Sequence, residues 1–212
     1  MTRRDRPRRS WIALLTLPIA VLLFANSFVF SRQEFWVAMS AGVLVLAGFA
    51  ALIRGPDLYR ERANAFDIAI GIGSFVALYA VFWIGDKLIR LVFPFTSGQI
   101  GSVYGLGQQL PLLVIAALLV FVIGPGEELY WRGLVQWAVT VRWGLGPGFL
   151  VGTLLYAGTH LVSGSLVIVV AALVGGAVWS AIYAIRQRLL PVMVSHVLFD
   201  LFVFVLAPLT PR

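Results

Sequence analysis

The sequence predicts an all-α fold, a polytopic bundle of seven to eight transmembrane helices enclosing a polar cavity within the membrane. Composition is the first observation behind this. Of 212 residues, 60% are hydrophobic and only 12% charged, with a mean hydropathy of +0.95, which leaves too little polar surface to cover a soluble globule. The second is the pattern of apolar runs, at 11–30, 35–53, 66–84, 109–123, 147–163, 165–185 and 189–207. Each approaches or reaches the ~20 residues that cross a bilayer core. The third is a small set of ionisable side chains inside those runs. A charge in hydrocarbon costs at least ~2.5–3.5 kcal/mol, so each such group marks a candidate functional site.

Taken in order, residues 1–10 form a basic tail with Arg3, Arg4, Arg6, Arg8 and Arg9, and residues 11–207 form one transmembrane domain. The net charge of +7 reads as membrane topology and contact with anionic lipid of the bilayer, not as nucleic-acid binding. A basic stretch followed by an apolar run is also the pattern of a signal peptide, but the run from Trp11 to Phe30 is long enough for a full span. Arginines of the tail, of the 54–62 connection (Arg54, Arg60, Arg62) and of the 186–188 connection (Arg186, Arg188) fall on one side if the spans alternate. That side is expected to be cytoplasmic, with the N-terminus on it and, for seven spans, the C-terminus outside. Lys87 and Arg90 run against the pattern. Fifteen arginines to one lysine point to a GC-rich, prokaryotic genome and hence to a prokaryotic plasma membrane. The glycines at 71, 73, 175 and 176 are expected to permit close helix approach. No cysteine is present, which excludes disulfides, thiol catalysis and cysteine-ligated zinc.

The stretch Gly124-Pro125-Gly126-Glu127-Glu128-Leu129-Tyr130-Trp131-Arg132-Gly133 is the most informative. Proline lacks an amide donor and clashes with the preceding turn, so a break is expected at 125. Residues 127–142 then form either an interfacial helix or the second half of a long broken one. Glu127 and Glu128 point about 100° apart on a helix, whereas Glu128 and Arg132 stand at i and i+4 and can pair. Glu127 is left as the carboxylate with a free role. His196 and Asp200 repeat the i, i+4 interval, so the carboxylate can hold the imidazole in one orientation. Tyr156 and His160 do the same with an aromatic ring. Counting ~1.5 Å per residue puts Glu127 and His196 ~5 and ~9 Å from the cytoplasmic edge of the core and His160 deeper, at ~20 Å. A cavity in the cytoplasmic half is the expectation. Ser195 beside His196 carries no serine-protease geometry, since adjacent residues on a helix point apart.

The ordered trio Glu127-Glu128-x-x-x-Arg132, Tyr156-x-x-x-His160 and His196-x-x-x-Asp200 resembles the signature motifs of the CAAX prenyl protease and bacteriocin-processing (CPBP, or Abi) family of intramembrane endopeptidases. The resemblance covers about residues 109–207, with the signature residues within 124–200. It implies a helical membrane protein whose conical cavity opens to the cytoplasm and, laterally, to lipid. It also implies that Glu127 and His160 activate water while His196 and the last motif residue stabilise the oxyanion. Two departures stand out. Tyr156 replaces the usual phenylalanine, and Asp200 replaces the usual asparagine. An ionised carboxylate cannot donate to an oxyanion, so Asp200 either carries a proton or orients His196.

The expected activity is hydrolysis of peptide bonds in membrane-associated peptides or proteins. Glu127, His160, His196 and Asp200 would be catalytic, with Glu128, Arg132 and Tyr156 supporting them. Glu127, His160 and His196 also form a His₂Glu set of the kind that holds catalytic zinc, so a zinc protease with the same residues is an alternative. Lacking cysteine or an HExxH helix, the chain favours the cofactor-free version. A proton-coupled transporter and a non-catalytic scaffold or immunity protein are further alternatives, the first disfavoured by the lack of an inverted repeat. Oligomeric state is not read from these residues.

Overall fold

The computed structural model describes residues 6–59 and 62–209; Arg3, Arg4 and Arg60, counted above for charge, lie outside them. The described residues form helices α1 (Pro7–Phe30), α2 (Arg32–Tyr59), α3 (Ala65–Val92), α4 (Thr96–Gly105), α5 (Leu112–Trp143), α6 (Leu145–Ser163), α7 (Leu166–Arg186) and α8 (Leu190–Leu206), with no strand among them. Six of these, α1, α2, α3, α5, α6 and α7, are long and apolar enough to cross a membrane, while α8 is apolar but shorter. The protein is an integral membrane helical bundle.

The expected break at Pro125 does not occur. The runs 109–123 and 127–142 join in α5, which is 32 residues long. Just before the proline the helix widens into a π turn over Leu119–Ile123, and the Gly124 amide reaches back to the Leu119 carbonyl. A π turn absorbs the missing donor and the ring of a proline without ending the helix. A second π turn, Trp131–Gln136, follows the acidic pair. Residues 127–142 are therefore the second half of one long helix and add no eighth span.

Glycine sets the turns. Gly144, at φ +93°, closes α5 and starts α6, and Gly164, at φ +65°, follows α6. Both lie in the region of φ that side chains with a Cβ avoid. Asn64 caps α3 by accepting the Asp67 amide at 2.8 Å. The end of the bundle that carries the start of α1 is stitched by arginines. Arg9 donates to the Ile53 carbonyl at 2.6 Å, and Arg142 stacks 3.7 Å over the Trp11 ring. Buried Asp67 pairs with Arg186 at 2.9 Å and Arg188 at 2.5 Å. The described part of the basic tail is helical from Arg6 and continuous with the first span, and its Ser10 is fully buried.

The four glycines expected at helix contacts divide into two kinds. A Cβ on Gly71 would lie 2.6 Å from Val194 Cβ and 2.8 Å from the Pro191 carbonyl of α8, and one on Gly176 would lie 2.8 Å from the Tyr156 ring. Gly73 meets nothing within 4 Å, and Gly175 makes room for Trp179 of its own helix. Overpacking a tight contact costs about 1–3 kcal/mol. Gly71→Ala is therefore expected to destabilise the bundle by about that amount in a thermal melt in detergent, with Gly73→Ala unchanged. Equal melting of the two variants would show that α3 and α8 do not meet at Gly71.

Candidate active site

Four helices meet around a buried charge cluster. On α5, Glu128 and Arg132 stand one turn apart, as their spacing predicts, and Arg132 Nη1 donates to Glu128 Oε1 at 2.8 Å with both side chains buried. The same Oε1 lies 2.6 Å from His196 Nδ1 on α8. Arg132 Nη2 donates to the Gly176 carbonyl of α7 at 3.2 Å, and the guanidinium lies over the rings of Tyr156 and Trp179. Trp179 stacks on His196 at 3.8 Å with planes 21° apart. Its indole N–H donates to Ser195 Oγ at 3.1 Å, which gives that buried hydroxyl a structural task. Asp200 Oδ2 is 3.4 Å from His196 Nε2, a looser contact than the one Glu128 makes.

Glu127 turns the other way, as the 100° step between adjacent helical residues requires. It is buried, and its Oε2 accepts the Tyr156 hydroxyl at 3.0 Å. Tyr156 in turn packs edge-on against His160, with ring centres 4.7 Å apart. His160 begins the short 3₁₀ turn that ends α6. Its Nδ1 is 2.8 Å from the Tyr156 carbonyl, an acceptor only, so Nδ1 carries the hydrogen and Nε2 is the free nitrogen. Phe24 and Phe28 of α1 flank the imidazole at 5.1 and 6.1 Å.

Glu127, Tyr156, His160, His196 and Asp200 all line one cavity of about 510 Å³, whose remaining wall is largely apolar, with Trp36, Phe82, Val92 and Ile168 among the lining. Glu128 and Arg132 sit behind it. All seven side chains singled out from the sequence thus come together, although 73 positions separate Glu127 from Asp200. The mismatch in depth between Glu127 and His160 disappears. Because α5 does not stop at Pro125, Glu127 lies sixteen residues before Trp143 and His160 fifteen residues after Leu145, ~24 and ~22 Å along antiparallel helices from their shared turn.

The same continuity corrects the expected side of the cavity. It occupies the half of the bundle away from the start of α1, lined by Phe28 near the end of α1, Phe35 near the start of α2 and Val92 at the end of α3. The basic N-terminal end and the cavity occupy opposite halves of the bundle, whereas a helix end at Pro125 would place them in the same half.

Each nitrogen of His196 faces a carboxylate oxygen, and among the described residues no three His, Asp or Glu side chains form a group placed to hold a metal ion. Three features of the site were not readable in the motifs: the Glu128–His196 contact, the stacking of Trp179 on His196, and the phenylalanines of α1 against His160. Trp179 had a local signal, since Gly175 and Gly176 lie four and three residues before it. The other two depend on long-range packing.

Glu128 and Arg132 are desolvated together, so removing one leaves the other uncompensated, a loss of about 3–5 kcal/mol for a buried pair. Arg132→Ala is expected to lower the melting temperature in detergent strongly. Glu127→Gln keeps size and a hydrogen bond to Tyr156 and is expected to melt close to the wild type. Comparable stability of the two variants would contradict this division.

No curated protein and no solved structure gives a significant match to the chain. A family model does match, over rather less than half of the chain and across all three motifs. Residues 109–202 fit the type II CAAX prenyl endopeptidase, Rce1-like family, so the stretch that carries Glu127, Glu128, Arg132, Tyr156, His160, His196 and Asp200 is Rce1-like.

Proposed function

We propose that the protein is an intramembrane endopeptidase of the glutamic type, which hydrolyses peptide bonds of membrane-associated peptides or proteins. The observation that carries this is the polar floor of an apolar cavity: Glu127, His160 and His196 all reach the same space. Glu127 takes a proton from a water held between it and His160 Nε2, and the hydroxide so formed adds to the scissile carbonyl carbon. The carbonyl oxygen becomes an oxyanion, to which His196 donates from Nε2. A preorganised donor of this kind in a dry site contributes about 3–4 kcal/mol. Collapse of the tetrahedral adduct breaks the C–N bond, and the proton on Glu127 passes to the leaving amine.

Glu128 is the orienting carboxylate in this scheme. Its 2.6 Å contact holds Nδ1 of His196 and turns Nε2 toward the cavity, and Arg132 and Trp179 hold Glu128 and the ring in place. Asp200 is then not needed for orientation. It stands at Nε2, where an ionised carboxylate competes with the oxyanion for the same hydrogen and a protonated one can share the donation. The membrane is a prokaryotic plasma membrane, in keeping with the arginine-rich composition.

The test is purified protein in liposomes with a pooled library of membrane-tethered peptides, new termini being read by mass spectrometry. Cleavage is expected for the wild type and absent for Glu127→Gln; no cleavage by the wild type would refute the endopeptidase reading. Glu128→Gln is expected to lose about 10–100-fold in rate, the usual effect of removing a partner that orients a catalytic group. Asp200→Asn should keep or raise activity, because an amide donates where an ionised carboxylate cannot. A collapse of Asp200→Asn activity with Glu128→Gln unaffected would reverse the two roles, and chelator-sensitive cleavage by the wild type would restore a metal.

A further inference from the structure

The cavity and the positive charge occupy opposite ends of the bundle. The cavity is lined by Phe28 of α1, Trp36 of α2, Val92 of α3, Tyr104 of α4, Ile168 of α7 and Phe204 of α8. These come from the end where α1 and α3 finish and α2 and α7 begin. The opposite end carries Arg8 and Arg9 before the apolar part of α1, Arg54 in the last turns of α2 and Arg62 between α2 and α3. Arg142 at the end of α5, Arg186 at the end of α7 and Arg188 between α7 and α8 bring these to seven. Among the described residues, these seven arginines stand against only Arg32, Lys87 and Arg90 at the end that holds the cavity. Short connections rich in arginine stay in the cytoplasm during insertion.

We infer that the site opens to the extracytoplasmic face, and that its substrate is the extracytoplasmic juxtamembrane segment of a membrane-anchored peptide or protein. The sidedness rests on the arginines and the cavity lining alone; the word substrate rests on the endopeptidase reading above. A cavity of about 510 Å³ lies within the ~300–1,000 Å³ that holds a small ligand. It admits a short extended stretch of chain and excludes a folded domain. Its largely apolar wall suits residues that leave the bilayer without much polar character, and Glu127 at the floor is reached only by a segment that dips into the membrane from outside.

The chain has no cysteine, so single cysteines report sidedness without background. Ala63→Cys lies in the exposed connection before α3, on the arginine-rich end, and Ser97→Cys is exposed on α4 at the end that holds the cavity. Ala65→Cys and Gly98→Cys, also exposed, serve as a second pair should either of the first not insert. With a membrane-impermeant maleimide on intact spheroplasts, Ser97→Cys is expected to label fully, and Ala63→Cys to stay unlabelled until lysis. The reverse pattern would overturn the inference. A second arm co-expresses the protein with a pooled library of single-span peptides, each presenting its tail in the cytoplasm or outside. Cleavage restricted to outward tails and lost with Glu127→Gln is expected; Glu127-dependent cleavage restricted to cytoplasmic tails would overturn the inference even with the expected labelling. If no tail of either kind is cut, the endopeptidase reading fails while the maleimide pattern still decides which face the cavity opens to.

Discussion

The contact on which the rest of the site depends is the one oxygen of Glu128 that serves both Arg132 and His196. A lone carboxylate this deep in an apolar bundle would be costly, and so would a lone guanidinium. Together they are tolerable only if the geometry is kept, and keeping it ties four helices. Arg132 must reach the Gly176 carbonyl, which brings α7 against α5. That approach leaves 2.8 Å between the Tyr156 ring and any Cβ on residue 176, so the glycine is needed for α6 to close over the same guanidinium. His196 brings in α8, and Trp179 covers the imidazole face. A buried ion pair is weak ground for claiming stability. Its value here is specificity, because few packings of these helices satisfy all its members.

Glu127 is left outside that knot because of one feature of helical geometry. Adjacent residues point about 100° apart, so two neighbouring glutamates cannot share a partner set on the same face. Glu128 turns toward the arginine and the two C-terminal helices; Glu127 turns toward the cavity and α6, where Tyr156 donates to it. The tyrosine hydroxyl, a departure from the family's usual phenylalanine, gives this carboxylate a hydrogen-bond donor that a phenylalanine could not.

Much of this was legible in the sequence wherever the physics is local. The spans follow from apolar length, the Glu128–Arg132 pair from i, i+4 spacing, and the convergence of three motifs from the scarcity of ionisable groups in hydrocarbon. What could not be read depends on tertiary packing. Pro125 is a helix breaker in isolation, yet in hydrocarbon an interrupted backbone has no water to turn to, and a π turn that keeps the amides bonded is the cheaper solution. The carboxylate nearest His196 is Glu128, 68 positions away, where the spacing pointed to Asp200 in the next turn. A sequence offers the near partner first; the fold, through the long helix, delivered the stronger one.

The continuity of α5 through Pro125 also decides which half of the bundle holds Glu127. Counted from a helix end at Pro125, Glu127 belongs to the arginine-rich face. Counted from the actual end at Trp143, it lies about as far from that face as His160 does, and the two meet. The aromatic and arginine contacts at the start of α1 then form a closed end, with Trp11, Arg142 and Trp143 packed together. Among the described residues, a tightly packed core around Tyr130, Trp131 and Leu134, all essentially inaccessible, lies between that side and Glu127. On the endopeptidase reading proposed above, water and peptide reach the carboxylate through the cavity, so the face on which the cavity opens decides which compartment supplies both. In a chain whose helices are otherwise uniformly apolar, the distribution of arginine is the sequence signal on which the proposed sidedness rests.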